Sequence, residues 1–523
     1  MKRKVETTIE AEGANSKRQA GRSAHEKIGP RNHLLDWVAT THYRFWICLH
    51  RGILVCMKNE NVVQKIWNLC HILRGDGISY HQYVSELTYL LFLKIAEENG
   101  AERLLPYGFR WKDLLRKPDE NLLGFYQEML THLGTSAESE TIRAIYSFPT
   151  TVFSHAENLK AVINGIAKIE WHDLGGDRIG RIYEGLIEKS SQDVRSGAGQ
   201  YFTPRALVNS MVRIMKPNLG EIIQDPATGS GGFLISADHF IRSQNSKSAY
   251  LSNPPKYQGA EIEKNTRRIC LMNTFLNGLD AEIIYGDALT DDVKDFEPAN
   301  LILANPPFGS KAGSKRSLRT DIPYPNANKQ LAFLQHIYLN LKDRGRAAVV
   351  LPDNVLFEDG VGKFVRRDLM AKCNLHTILR LPTGIFASAG VKTNVLFFTR
   401  ESDGTAAVWF YDLRAKMPSF GKTNSLRVEQ FVEFESCFGD DPSGKSPRRD
   451  QGETGRYRCY TREQIAARDE NLDISWLRDD VEDTENNVTE PEDIAAAILG
   501  HLRSAISEVE AIADEIAESV RAE

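Results

Sequence analysis

The residues best suited to chemistry are Asn305-Pro306-Pro307-Phe308, which follow directly on the apolar run Leu301-Ile302-Leu303-Ala304. Two prolines fix φ and end the strand predicted for that run, so the Asn305 amide oxygen and the Pro306 carbonyl are held as two acceptors beside an aromatic ring. Such an arrangement suits a planar exocyclic amine. The acceptors take its two N–H hydrogens and raise the electron density on nitrogen, while Phe308 stacks on the heterocycle. An amine attacking a sulfonium methyl needs little beyond alignment in line with the departing sulfur. A second Asn-Pro-Pro, at Asn253 to Pro255, follows a polar Ser/Asn/Lys stretch and precedes Lys256, without the ring, and is predicted to be a plain loop.

A ligand turn is predicted further upstream, in Asp225-Pro226-Ala227-Thr228-Gly229-Ser230-Gly231-Gly232-Phe233, between an apolar strand and a helical pattern. Glycines there let the backbone approach a ligand at a strand end and helix N-terminus. The run is not the dinucleotide fingerprint, because Leu234 stands where the third glycine would be needed, and Asp225 would repel a pyrophosphate. An acid before the glycines points instead to a ligand with a cationic or hydroxyl-bearing part, and the methionine ammonium of S-adenosylmethionine fits. Two more acids follow strand-like runs, Glu261 in Gly-Ala-Glu-Ile-Glu and Asp287 in Tyr-Gly-Asp-Ala-Leu, where Ala288 is its neighbour. Carboxylates at the C-terminal ends of adjacent parallel strands line one crevice and can accept hydrogen bonds from a ribose diol and an adenine amine.

The elements that must position these groups read as an α/β protein. Short apolar runs at Glu221–Gln224, Gly259–Ile262, Ile283–Tyr285, Asn300–Ala304, Ala347–Leu351, Thr377–Leu381 and Val395–Thr399 predict seven strands, and helical patterns between them predict a mostly parallel sheet. Before them, Val62, Ile66, Leu69 and Leu73 share a helical face, and Ser79-x-x-Gln82 forms a capping box ahead of Tyr83, Leu87, Leu90, Leu91 and Ile95. The expected domains are an extension over 1–56, a helical domain over 57–189, the sheet domain over 190–436, a loop and irregular segment over 437–490, and a last helix over 491–523. That helix carries Ile494, Ile498, Leu502, Ile506, Val509, Ile512, Ile516 and Val520 as a stripe, to be buried on its own domain or on a partner.

A length of 523 residues, with 41% hydrophobic and 26% charged, excludes collagenous and disordered classes and allows two to four domains. The net charge of -5 argues against a protein that holds DNA mainly by its own electrostatics. Ser310 to Lys329 nevertheless carries Lys311, Lys315, Arg316, Arg319 and Lys329 against Asp321, either to order over a DNA backbone or as a solvated loop. Seven scattered cysteines, none in a C-x-x-C pair, fit reduced thiols and no structural metal. No run is apolar enough for a bilayer, which predicts a soluble, cytoplasmic protein. Residues 1–33 hold eight Lys/Arg and four Asp/Glu without apolar periodicity. Met57-Lys58-Asn59-Glu60-Asn61-Val62 reads like a natural start, so residues 1–56 are expected to be an upstream extension or a dispensable tail, with a DNA-clamping basic arm as the rival.

Asp-Pro-Ala-Thr-Gly-Ser-Gly-Gly-Phe, Gly-Asp-Ala-Leu and Asn-Pro-Pro-Phe, in this order, resemble the cofactor, adenine and catalytic motifs of amino-directed DNA methyltransferases. Gly199-Gln200-Tyr201-Phe202-Thr203-Pro204-Arg205 narrows the likeness to the modification subunits of type I restriction–modification systems, in which this segment approaches the methionine part of the cofactor. Leu351-Pro352-Asp353-Asn354, Leu381-Pro382-Thr383-Gly384-Ile385-Phe386 and Val391-Lys392-Thr393-Asn394 extend the resemblance, which runs from about Met57 to the C-terminus. It implies a Rossmann-like S-adenosylmethionine-dependent methyltransferase domain with an N-terminal helical domain and C-terminal helices. It also implies adenine N6 methylation by base flipping, a separate specificity subunit that reads the double-stranded DNA target, a second copy of the modification subunit, and a restriction/translocase subunit. Two other readings stay open: a protein glutamine N-methyltransferase, which shares a similar Asn-Pro-Pro, and a silent cofactor-binding scaffold.

Overall fold

A computed structural model of the protein describes residues 62–69, 72, 80–147, 149–169, 171, 180, 182, 185–186, 203–308, 318–386, 392–415, 417, 420 and 426–477. The expectations for 1–56, the helix over 491–523, Ser79, Gln200, Tyr201, Phe202, Lys311, Lys315 and Arg316 lie outside these residues.

The α/β class is as expected, but the sheet has nine strands rather than seven. They are β1 (Ile222–Asp225), β2 (Lys256–Glu261), β3 (Ala281–Tyr285), β4 (Ala299–Ala304), β5 (Leu341–Pro352), β6 (Cys373–Arg380), β7 (Thr393–Arg400), β8 (Ala407–Asp412) and β9 (Tyr457–Thr461). Their order is β3-β2-β1-β4-β5-β7-β6-β8-β9. β3, β2, β1, β4 and β5 run parallel, β7 is antiparallel to both β5 and β6, and β9 closes the sheet antiparallel to β8. The loop expected over 437–490 is thereby corrected, since it supplies β9. There, Trp409 stacks on Tyr457 with ring centroids 4.9 Å apart.

The helices that bear on the site are α1 (Tyr80–Glu98), α2 (Asp119–Thr135), α3 (Arg205–Met215), α4 (Gly232–Gln244) and α5 (Lys264–Leu276). α4 and α5 lie in the crossovers from β1 to β2 and from β2 to β3 that parallel pairing demands. α1 is buried nearly all round: Tyr83, Val84, Leu87, Leu90, Leu91, Phe92 and Ile95 lie in the core, and Glu86, Thr88 and Lys94 are buried with them. Its buried polar groups must therefore find partners inside the protein. Its neighbours are α2, whose Tyr126 hydroxyl donates to buried Glu86 at 2.7 Å, and α5, whose Arg268 lies 4.1 Å over the Tyr89 ring and donates to the Ser85 carbonyl at 3.0 Å. One apolar cluster therefore runs from α1 through α5 into the sheet. No helix among the described residues is long and apolar enough to cross a membrane.

Candidate functional site

The chain builds β1, β2 and β3 outward on one side and then returns to lay β4 against β1 on the other, so the strand order reverses between β1 and β4. In an open parallel sheet, the crevice at such a reversal, beyond the C-terminal strand ends, is where a ligand fits. Asp225 ends β1, Glu261 ends β2, Asp287 stands two residues beyond β3, and Asn305 follows β4. The sheet thus gathers on one edge four groups spread over 80 residues of the chain, from Asp225 to Asn305.

The turn after β1 is fastened from several directions. Thr228 N–H donates to the Ala260 carbonyl at 3.0 Å, Gly231 N–H to the Thr228 carbonyl at 2.8 Å, and the Asn273 side chain to the Ser230 carbonyl at 2.9 Å. Gly229 and Gly231 have φ of 53° and 82°, backbone that residues with a Cβ adopt only under strain. At Gly231 a methyl group would also lie 3.0 Å from the buried Cys270 Sγ. Gly231→Ala is expected to destabilise the protein by about 1–2 kcal/mol, the usual cost of an alanine in left-handed backbone, measurable as a shift of the urea midpoint. Gly232 opens α4 directly beneath the Arg205 guanidinium, where a Cβ would meet Nη1 at 2.2 Å. Phe233 is buried in the core below.

Two carboxyls flank this turn, and both are held against their charged forms. Asp225 is 1% exposed and accepts from Ala227 N–H at 3.0 Å. Burial pushes its carboxyl up to about 8, and the Glu261 charge adds to the effect. Glu261 accepts from Gly229 N–H at 3.0 Å and from Glu263 N–H at 2.9 Å, yet burial still raises it to about 7. Two neighbouring carboxyls raised in this way, one buried and one half-buried, form an arrangement that a cation or a hydroxyl donor would relieve. Asp287 accepts from Leu289 N–H at 3.0 Å and stays half-buried. Beside it, Ala288 is buried in a small apolar cluster with Ala260, Leu289 and Phe333, against which Ala227 packs.

Asn305 donates its side-chain N–H to Thr203 Oγ1 at 2.9 Å, while its Oδ1 is buried and meets no hydrogen-bond partner among the described residues. A buried acceptor left unmade costs free energy unless something fills it. Pro306 is buried, Pro307 exposed, and the half-buried Phe308 meets Phe386 edge-on, with ring centroids 6.5 Å apart and planes at 84°. Thr203, Pro204 and Arg205 lead into α3, so the segment expected to approach the cofactor also touches Asn305, the residue expected to be catalytic. Sequence reading missed that contact, and it missed Phe386 as a neighbour of Phe308. The Leu381–Phe386 motif was the available signal.

Two expectations change or sharpen. Arg319, counted with the DNA-facing cations, is committed internally: its backbone N–H donates to the Leu289 carbonyl at 3.0 Å, and its guanidinium engages Asp321 and, at 2.8 Å, His336 Nδ1. Burial and that guanidinium push the His336 imidazole down to about 3, so it is neutral and can accept. The Asn253 to Pro255 stretch is a turn before β2, where the Asn253 carbonyl accepts from Gly220 N–H at 3.1 Å.

Residues 175–486 match the N-6 DNA Methylase family, and residues 62–166 match the HsdM N-terminal domain. The chain is 40% identical over 518 residues to the type I restriction enzyme EcoKI methylase subunit of Escherichia coli K12, covering 89% of this chain and 97% of that protein. It is also 40% identical over 511 residues to the StySPI methylase subunit of Salmonella potsdam, covering 88% and 96%. Among solved structures, the crystal structure of the EcoKI M protein shares 37% identity over 87% of this chain and 96% of its own, with a TM-score of 0.50. A chain from a study of complex assembly and conformational transition of the type I R-M system shares 26% identity over 88% and 99%, with a TM-score of 0.62.

Proposed function

We infer that this chain, which belongs to the N-6 DNA methylases as a methylase subunit of the type I restriction enzymes, takes its methyl group from S-adenosylmethionine and delivers it to an adenine that has left the duplex stack. The carrying observation is the buried Asn305 Oδ1, which has no hydrogen-bond partner among the described residues, on the same sheet edge as two carboxyls held above their ordinary values. S-adenosylmethionine, when bound, supplies an electrophilic methyl on a positively charged sulfur. The residues present fit it. Asp225 gains a cationic partner, Glu261 a hydroxyl donor, and the Gly229 turn leaves open space where a side chain would stand. Thr203 to Arg205, the turn from Ala227 to Phe233, and Asp287 with Ala288 complete the proposed cofactor surface.

Asn305 Oδ1 accepts one hydrogen of the target amine, and the Pro306 carbonyl is assigned the other, which concentrates the nitrogen lone pair for attack. Phe308 gives the displaced base the aromatic face it loses on leaving the stack, a contact worth about 1–3 kcal/mol per base. Neither group is a base. The extra proton on the methylated nitrogen therefore passes to water once the product amine has formed. Thr203 fixes the Asn305 amide with its oxygen toward the incoming amine. Thr203→Val should lower turnover by about three- to tenfold, the worth of one ordinary hydrogen bond, with the DNA Michaelis constant little changed.

Target reading is assigned to a separate specificity subunit, with two copies of this chain serving the two DNA strands and a translocating nuclease joining for restriction. The net charge of -5 supports that division, because the chain lacks the cationic excess of a protein that grips DNA alone. Methyl incorporation into duplex DNA by the assembled subunits, followed by nuclease digestion and nucleoside chromatography, is expected to yield N6-methyladenine. Transfer to protein glutamine with none to DNA would overturn the reading.

A further inference from the structure

The same sheet edge carries a second organised cluster, beyond β5 rather than β4. Arg414 follows β8 and is 8% exposed at its side chain. Its Nη1 donates to Asp353 Oδ2 at 2.8 Å, its Nε to the Leu381 carbonyl at 2.9 Å, and its Nη2 to Asp353 Oδ1, to the Thr393 carbonyl at 2.9 Å and to Asn394 Oδ1 at 3.2 Å. Asn394 Nδ2 in turn donates to Asp353 Oδ1 at 2.8 Å. One guanidinium thus fastens the ends of β5 and β6 to the start of β7. Arg414 is itself anchored, since its N–H and that of Ala415 donate to the buried Asp412 carboxylate at 2.8 and 3.0 Å.

What this knot fixes is the segment that leaves β6. Leu381 is held twice, through its carbonyl by Arg414 and through its N–H to the Thr393 carbonyl at 3.0 Å. The chain then turns at Gly384, with φ of 78° and the Phe420 carbonyl only 2.0 Å from where a Cβ would be, and brings Phe386 against Phe308. Phe386 is 4% exposed, so its ring has little room to move. An edge-on partner of this kind sets the plane of the ring it meets.

We propose that Arg414, through Asp353 and the Leu381–Phe386 segment, is a positioning residue that holds the Phe308 ring at the angle required for stacking on the target adenine. The proposal rests on the displaced-base reading above. A planar, five-donor fork is needed, because every one of these contacts radiates from one plane; a lysine keeps the charge but reaches at most part of the set. The consequence is kinetic. If Phe308 tilts, the base still enters, but its amine is turned away from the line of attack, and turnover falls while cofactor and DNA affinity do not.

The test is a set of variants in the fully assembled enzyme acting on duplex DNA. Arg414→Lys and Phe386→Leu are each expected to lower kcat about five- to tenfold, with the DNA KM and the S-adenosylmethionine Kd within twofold of the parent; Phe386→Tyr, which keeps the ring, should restore kcat. Parent-like kcat for Phe386→Leu, with Phe308→Leu strongly impaired, would overturn the proposal and leave the base reading intact. Parent-like kcat for Phe308→Leu and Asn305→Ala as well would sink that reading first. If Phe386→Leu instead loses cofactor affinity and melting temperature together with kcat, the segment is merely structural and the proposal fails.

Discussion

Asn305→Ala is expected to reduce methyl transfer by about a thousandfold and to leave S-adenosylmethionine affinity within about twofold of the parent protein. The size follows from what is removed: one fixed dipole aimed at the reacting atom, which elsewhere in enzymology is worth about a hundred- to a thousandfold, together with the geometry that keeps Thr203 occupied. The selectivity follows from the fold, since the acids proposed to hold the cofactor sit on β1, β2 and the turn after β3, whereas Asn305 follows β4. Single-turnover incorporation of labelled methyl and calorimetric titration of cofactor separate the two quantities. Turnover within tenfold of the parent would remove Asn305 from the reacting centre. A loss of cofactor affinity equal to the loss of rate would place it in the cofactor pocket instead.

Asp225→Ala is expected to show the opposite signature, a cofactor Kd raised about 10- to 100-fold, the scale of one hydrogen bond to a charged group. It also changes the pH profile. In the ligand-free protein the Asp225 carboxyl lies at about 8 and Glu261 at about 7, so at neutral pH one or both retain a proton that a cationic ligand must expel. Affinity should therefore rise with pH through the interval from about 7 to 8 and level off above it, and the upper part of this rise should vanish in Asp225→Ala. Stability without ligand moves the other way. A carboxyl raised in the folded state binds its proton more tightly there than in the unfolded chain, so its contribution is complete below about pH 4 and is lost as pH climbs through about 8. Asp225→Asn should remove that decline in a denaturant series from pH 5 to 9. A cofactor affinity independent of pH across the interval would show that these carboxyls do not meet a cation.

Much of the site was legible in the sequence because a parallel sheet converts order along the chain into position along an edge. Once Ile222–Asp225, Lys256–Glu261 and Ala299–Ala304 are strands of one such sheet, Asp225, Glu261 and Asn305 must share a crevice. What escaped is of two kinds. β8 and β9 were passed over, one because Ala407–Asp412 follows closely on a turn, the other because Tyr457–Thr461 is half-exposed and sits in a polar, glycine-containing stretch whose own composition favours loop. Pairing with a neighbour, not local preference, makes such a segment a strand. The second kind is contact across sequence distance. Nothing in Thr203 announces a hydrogen bond to Asn305, 102 residues on, and nothing in Arg319 distinguishes a cation spent on Asp321 and His336 from one kept for phosphate. Periodicity reports which face is buried; it is silent about which polar groups meet there.

The grip of α5 on α1 bears on how the protein can be taken apart. α5 is the crossover between β2 and β3, and its first turn adjoins Glu261, yet its other flank is covered by α1, with Phe275 against Phe92 at 5.6 Å and Arg268 over Tyr89. The helical part therefore serves as the outer wall of a Rossmann crossover, not as an appendage. Excising it would uncover apolar surface on the helix that backs the Gly229–Gly232 turn and strand the Arg268 guanidinium. In this chain the sheet and its helical neighbour share one continuous core, so a cut between them opens both.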